Sequence, residues 1–183
     1  MMASSTALLV IDAQQGLRDG ETAVPNAIDV IDRIRTVLAA ARSAGALVVH
    51  LQNDGARGTL DEPETAGWFI HPQVAPEPDE LVLRKRHDNG FDGTELEDVL
   101  TRKRVTCIAV AGLLSEMCVS ATVRGALARG FHIVLVRDAH ATYNLDDIPA
   151  AIVARVAEHA LGDEVELIDA ASVTFGQLAM ASA

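Results

Sequence analysis

The chain has 183 residues, of which 49% are hydrophobic and 3% aromatic, and it carries a formal net charge of −11. That length predicts one domain over residues 1–183 with a full core, while the acidic balance argues against nucleic acid and anionic membranes as partners and the scarcity of aromatic residues argues against base-stacking surfaces. No apolar run approaches the roughly 20 residues of a bilayer span, the start Met1-Met2-Ala3-Ser4-Ser5-Thr6 has no basic segment of the kind a signal peptide needs, and two cysteines are too few for a disulfide framework, so a cytoplasmic location is expected.

Ala7-Leu8-Leu9-Val10-Ile11 is an unbroken apolar run that stops at Asp12, as expected of a central parallel strand. Pro25-Asn26 opens a helix whose apolar residues, Ile28, Ile31, Ile34, Val37 and Leu38, are spaced to form one face, and Gly45 ends it. Ala46 to Leu51 reads as the second strand. Asn53 to Glu80 then holds four of the six prolines and little periodicity, which predicts a long functional loop. Leu81-Val82-Leu83 makes a short third strand, and Thr94 caps a helix near Leu96 to Leu100. The fourth strand, Val105 to Ala111, leads into a helix from Cys118 to Arg129. A fifth strand (Phe131 to Val136), a helix (Ile148 to Leu161, with Ile152, Val156 and Leu161 inward) and a last strand (Val165 to Ile168) complete the pattern. Strands alternating with helices predict an α/β three-layer sandwich: a Rossmann-like, mostly parallel sheet of about six strands with helices on both faces.

Three residues at strand ends carry the chemistry. Asp12 ends the first strand, Lys85 lies just past the third, and Cys118 follows the fourth. In an open parallel sheet these share the carboxyl edge, where ligands bind. A cysteine in the first helical turn has backbone N–H groups and the positive end of the helix dipole beside it, and a nearby ammonium further favours the thiolate. A carboxylate can take the thiol proton, pass it to a leaving amine and later activate water. Each residue also has a structural explanation: Cys118 as core filler, Lys85 as one solvated member of Arg84-Lys85-Arg86, Asp12 as a turn cap. Their shared rim favours the chemical one. No G-x-G-x-x-G follows the first strand and no G-x-x-x-x-G-K-[ST] occurs, so no nucleotide cofactor is expected; nor is there a G-x-S-x-G elbow.

Four segments give the chain a family resemblance: Leu9-Val10-Ile11-Asp12-Ala13-Gln14, the run from Lys85 to Thr94 (KRHDNGFDGT), Ala111 to Val119 (AGLLSEMCV) and Val136 to Thr142 (VRDAHAT). In that order and spacing the chain resembles the isochorismatase-like cysteine hydrolases, a superfamily that includes nicotinamidases, N-carbamoylsarcosine amidohydrolase and streptothricin hydrolase. The resemblance covers roughly residues 6 to 176. It implies an Asp-Lys-Cys triad at Asp12, Lys85 and Cys118, with Lys85 chosen over its arginine neighbours for its six-residue step to Phe91. It also implies a cis peptide at Leu113–Leu114 that aims the Leu114 N–H, with that of Cys118, at an oxyanion.

The chain departs from nicotinamidases in lacking the metal-holding Asp-x-His pair after the second strand; His50, Asp54 and His71 are not a recognised ligand set, so no metal is expected. Gln14, His50, Trp68, His87 and Phe91 are the candidate substrate-pocket residues, with Trp68, Phe69 and His71 forming an aromatic wall and His140 also near the rim. The expected activity is hydrolysis of a small non-peptide amide through a thioester. Isochorismatase-type enol-ether cleavage, which needs no thiol, and a catalytically silent interaction module on the same fold are the alternatives. A redox role is disfavoured because no resolving cysteine is present. The expected partners are a small-molecule substrate and further copies of the chain, the latter through the small-residue face of Val119 to Ala128.

Overall fold

In the computed structural model, residues 5–17 and 23–181 are described, so residues 1–4 of the segment tested against a signal peptide lie outside them. Six strands form one parallel sheet in the order β3-β2-β1-β4-β5-β6: β1 (Ser5–Ile11), β2 (Leu47–Asn53), β3 (Leu81–Lys85), β4 (Val105–Leu113), β5 (His132–Ala141) and β6 (Val165–Ile168). The helices are α1 (Ala27–Ser43), α2 (Leu96–Arg102), α3 (Ser120–Leu127), α4 (Ala150–Leu161) and α5 (Phe175–Ala181). The strands read from the sequence are all present, most of them longer than expected; α5 had no counterpart in the sequence pattern.

Burial on both faces explains the unbroken apolar runs. In β1, Leu8 and Val10 join the core under α1 and α5, while Ala7, Leu9 and Ile11 join the core under α2, α3 and the end of α4. β4 alternates in the same way, sending Cys107, Ala109 and Ala111 to the first core and Ile108 and Val110 to the second. Helix α1 seats Val30, Ile31, Ile34, Val37, Leu38 and Ala41 on the sheet, and burying each of the larger ones contributes about 1.5–3 kcal/mol.

Helical phase is where the sequence misleads. Ile28 is exposed, as are Ile152 and Val156, so the inward face of α4 is instead Ala150, Ala157, Glu158 and Leu161. Two apolar stripes run along α4, and only the body it packs on decides which is covered. In α3, Val123, Gly125 and Ala126 are buried in the chain's own fold, while Arg124 and Ala128 of the stretch expected to meet another subunit are exposed.

Gly112 fixes how closely the two central strands approach. It pairs with Ile11 in the β1–β4 register, adopts φ +136°, and any Cβ there would fall on the Ile11 carbonyl oxygen. Gly112→Ala is expected to lower unfolding free energy by about 3 kcal/mol, measured by denaturant titration; an unchanged midpoint would refute the close approach.

Candidate active site

The strand order reverses between β1 and β4, and at such a switch point the connections leave in opposite directions and open a crevice at the carboxyl ends. Asp12 follows β1 immediately. Its backbone has φ +48°, uncommon for a residue with a Cβ, and its N–H donates to the Leu51 carbonyl at 2.9 Å. Lys85 is the last residue of β3 and lies in register with Asn53 at the end of β2. After β4 the Leu113–Leu114 peptide is cis, and Ser115–Val119 form a single wide π turn before α3 begins at Ser120. Cys118 therefore sits in this turn rather than in the first turn of a regular helix, the setting expected from the sequence. Single π turns recur at functional sites.

Lys85 is the hub. Its side chain is buried, and Nζ lies 2.7 Å from Asp12 Oδ2. It also donates to Asn53 Oδ1, the His87 carbonyl and Cys118 Sγ, each at 3.3 Å. Asp12 is buried too, and its second oxygen, Oδ1, has no hydrogen-bond partner among the described residues. The carboxylate thus offers one oxygen to the ammonium and keeps an open acceptor. Cys118 is half-buried, with Sγ 3.6 Å from the exposed Asp88 Oδ1.

Burial sets the proton affinities. It pushes the Asp12 carboxyl up to about 6 against the opposing charge of Lys85. Burial first, and the Asp12 charge second, also push the Cys118 thiol up, with Lys85 pulling the other way. This reverses the sequence expectation of a resting thiolate. Burial works against the Lys85 ammonium, yet Asp12 and then Cys118 more than offset it and hold its pKa above the ordinary value. The resting arrangement is a carboxylate–ammonium pair beside a neutral thiol, with a base tuned toward neutrality next to the proton it would remove.

The pocket candidates divide. Gln14 is fully buried and braces the loop after β2: its Nε2 donates to the carbonyls of Asn53 (3.0 Å) and Trp68 (2.8 Å), and its Oε1 accepts from the Asn53 N–H at 2.9 Å. His50 is buried against Glu80, 3.0 Å away, and Glu80 in turn pairs with Arg42 of α1. Phe91 is buried, stacked on Phe131 at 6.3 Å and covered by the Arg129 guanidinium at 4.4 Å. These three build the scaffold. Trp68 is half-buried; its Nε1 donates to Asp54 at 2.9 Å and its ring lies 5.0 Å beneath the Arg84 guanidinium. Phe69 meets it edge-on at 5.3 Å and is exposed, so it is the open member of the expected aromatic wall. His87 is exposed at the rim. His50, Asp54 and His71 do not converge: Asp54 pairs with Arg84, and His71 is buried, its Nδ1 accepting from the Gln73 N–H at 3.2 Å.

Asn53, Asp61, Asp88 and Tyr143 were missed by sequence reasoning. Asn53 links Lys85 to Asp61, donating to Asp61 Oδ2 at 2.5 Å. Burial above all, with a smaller push from the Asp61 charge, raises both Asp12 and the half-buried Tyr143 hydroxyl. Only the β2–β3 register brings Asn53 to Lys85, and no local motif marks it.

A family model described as the Isochorismatase domain matches residues 6–164. Two proteins called streptothricin hydrolase, both from Streptomyces noursei, are 54% and 53% identical over 177 residues, covering 92% of this chain. The chain spans 64% of the length of one and 70% of the other. Among solved structures, an isochorismatase from Pseudomonas putida KT2440 superposes with a TM-score of 0.87 at 30% identity, covering 92% of this chain and 89% of that one.

Proposed function

The chain belongs to the isochorismatase family of hydrolases, and from that premise we propose that it hydrolyses the C–N bond of a small non-peptide amide, with Cys118 as nucleophile, Asp12 as proton carrier and Lys85 as the cation that holds them together. One observation carries the reading: a single buried ammonium lies 2.7 Å from the Asp12 carboxylate and 3.3 Å from the Cys118 sulfur.

The chemistry follows from the resting protonation. Asp12 takes the thiol proton as Cys118 Sγ attacks the carbonyl carbon, so thiolate character develops only when it is used. Negative charge moves to the carbonyl oxygen, where the N–H groups of Leu114 and Cys118 would receive it. Asp12 then returns the proton to the departing nitrogen as the C–N bond breaks, leaving a thioester on Cys118 and a free amine. Water attacks the thioester and gives its proton to Asp12; the tetrahedral adduct collapses, the C–S bond breaks and the thiol recovers its proton. Throughout, Lys85 offsets whichever partner is negative. An enol-ether cleavage would leave this nucleophile without a task, which favours the amide.

The 54% identity to streptothricin hydrolase makes streptothricin the first compound to test, followed by a panel of amides, ureides and lactams screened for ammonia or amine release. The expected outcome is hydrolysis of at least one, with an acyl adduct on Cys118 in quenched mass spectra. Turnover without any adduct on Cys118 would point to direct attack by water and sink the covalent mechanism.

A further inference from the structure

A second buried polar chain touches the turn that bears Cys118. Ser115, the first residue of that turn, has Oγ 2.8 Å from His140 Nδ1 on β5. His140 Nε2 lies 3.3 Å from Glu158 Oε1 on α4, an attractive distance, although the geometry falls short of a directed hydrogen bond. The exposures are 2%, 6% and 8% for Ser115, His140 and Glu158, and burying three polar groups together costs free energy unless they satisfy one another.

The sheet makes a special arrangement to place His140 there. In the β4–β5 register Val110 pairs with Leu135 but Gly112 pairs with His140, so four residues of β5, 136–139, stand against Ala111 alone, although Val136 keeps its pair with Ile168 of β6. The bulge delivers His140 beside the end of β4, one step before Leu113–Leu114 and the π turn. Two further bonds hold the same turn: Thr142 Oγ1 donates to Glu116 Oε1 at 2.8 Å, and Ser120 Oγ donates to the Ser115 carbonyl at 2.7 Å.

We propose that His140 is a positioning residue, which anchors Ser115 from Glu158 and so fixes the direction of the Leu114 and Cys118 N–H groups that receive the oxyanion; this rests on the reading of Cys118 as an acyl-transfer nucleophile. Ser115, His140 and Glu158 together have the composition of a serine-hydrolase triad, but they do not form a second one. The cavity of about 330 Å³ beside α4 is lined by His140 and Glu158 and not by Ser115, whose hydroxyl faces the protein interior. The role is indirect: misplacing an oxyanion donor by a fraction of an ångström weakens the transition state while leaving the nucleophile in place.

Two reagents separate that role from simple structural support. Acetylation of Cys118 by p-nitrophenyl acetate passes through a tetrahedral oxyanion, whereas alkylation by iodoacetamide displaces iodide at a saturated carbon and forms none. Rates of both, assigned to Cys118 by peptide mass spectrometry, are compared in wild type, His140→Leu, Ser115→Ala and Ser115→Thr. Acetylation is expected to fall by about tenfold or more in the first two variants, alkylation to stay within about twofold, and Ser115→Thr, which keeps the hydroxyl, to acetylate near the wild-type rate. Unchanged acetylation in Ser115→Ala, or acetylation and alkylation falling together, overturns the proposal while leaving the nucleophile reading intact. An acetyl group on Ser115 also overturns it. Wild type that is alkylated but never acetylated at Cys118 removes the nucleophile reading, and this inference with it.

Discussion

Cys118→Ser is expected to fold as the parent does and to lose turnover by about 1,000-fold or more, since removing the nucleophile of a catalytic unit costs nearly all of its acceleration. A serine hydroxyl is a weaker acid and a poorer nucleophile than a thiol, so attack coupled to proton transfer onto Asp12 is far less favourable from oxygen than from sulfur. Half-burial and the π turn accommodate either atom, so the loss should lie in chemistry rather than in folding. Cys107→Ser is the control. That side chain is fully buried under α1 and contacts His132 Nδ1 at 3.3 Å, so some stability is lost while the rate per folded molecule stays at the parent level. Initial rates on the best substrate of the panel, normalised to the folded fraction from circular dichroism, decide the matter. Near-parental rates for Cys118→Ser would remove the nucleophile from the scheme.

Asp12→Asn is expected to lower turnover by roughly 10²–10⁴-fold, because the amide matches the carboxylate in shape but cannot accept a proton. The acid limb of kcat/KM should also change. The working form of Asp12 is the carboxylate, so parental activity falls as pH drops through about 6, and the residual activity of the variant should lack that limb. The thiol supplies an independent readout. The Asp12 charge is the second cause holding the Cys118 pKa up, so alkylation of Asp12→Asn should titrate at lower pH than in the parent. Lys85→Met removes the opposing influence and should move the titration upward. Breaking a buried pair strands a charge at a cost of about 3–5 kcal/mol, so both variants are compared below their melting transitions. Full turnover in Asp12→Asn would make the carboxylate structural; an unmoved titration in Lys85→Met would exclude the ammonium from the site.

The sheet and the edge that gathers Asp12, Lys85 and Cys118 were legible because they depend on local signals. Apolar runs such as Leu8 to Ile11 are long enough to be strands buried on both faces, and Asp12, Lys85 and Cys118 each fall where such a run stops or a helix is due. What the sequence could not convey depends on packing. Phe91 looked like a pocket wall until the covering Arg129 and the stacked Phe131 placed it inside. The outward stripe of α4, Ile152 and Val156, is as apolar as a core face. The π turn has no local motif, and the raised thiol pKa comes from burial, which a linear pattern does not report. His140 stood out only as a histidine near the rim, because the bulge that brings it to Gly112 is a property of strand pairing.

Placing Lys85 and Asp12 beneath the rim also insulates them from the medium. Dissolved ions weaken attraction between charges through the water around them, over a Debye length of about 8 Å at physiological ionic strength. Both side chains of this pair are out of that water, so their attraction persists in brine as it does in dilute buffer. Arg86, His87 and Asp88 are exposed and share the solvent with any arriving molecule, so whatever influence they exert fades as electrolyte is added. On the proposed mechanism, ionic strength is therefore expected to act on the capture of a charged substrate far more than on the Lys85–Asp12 pair that serves the bond-breaking step.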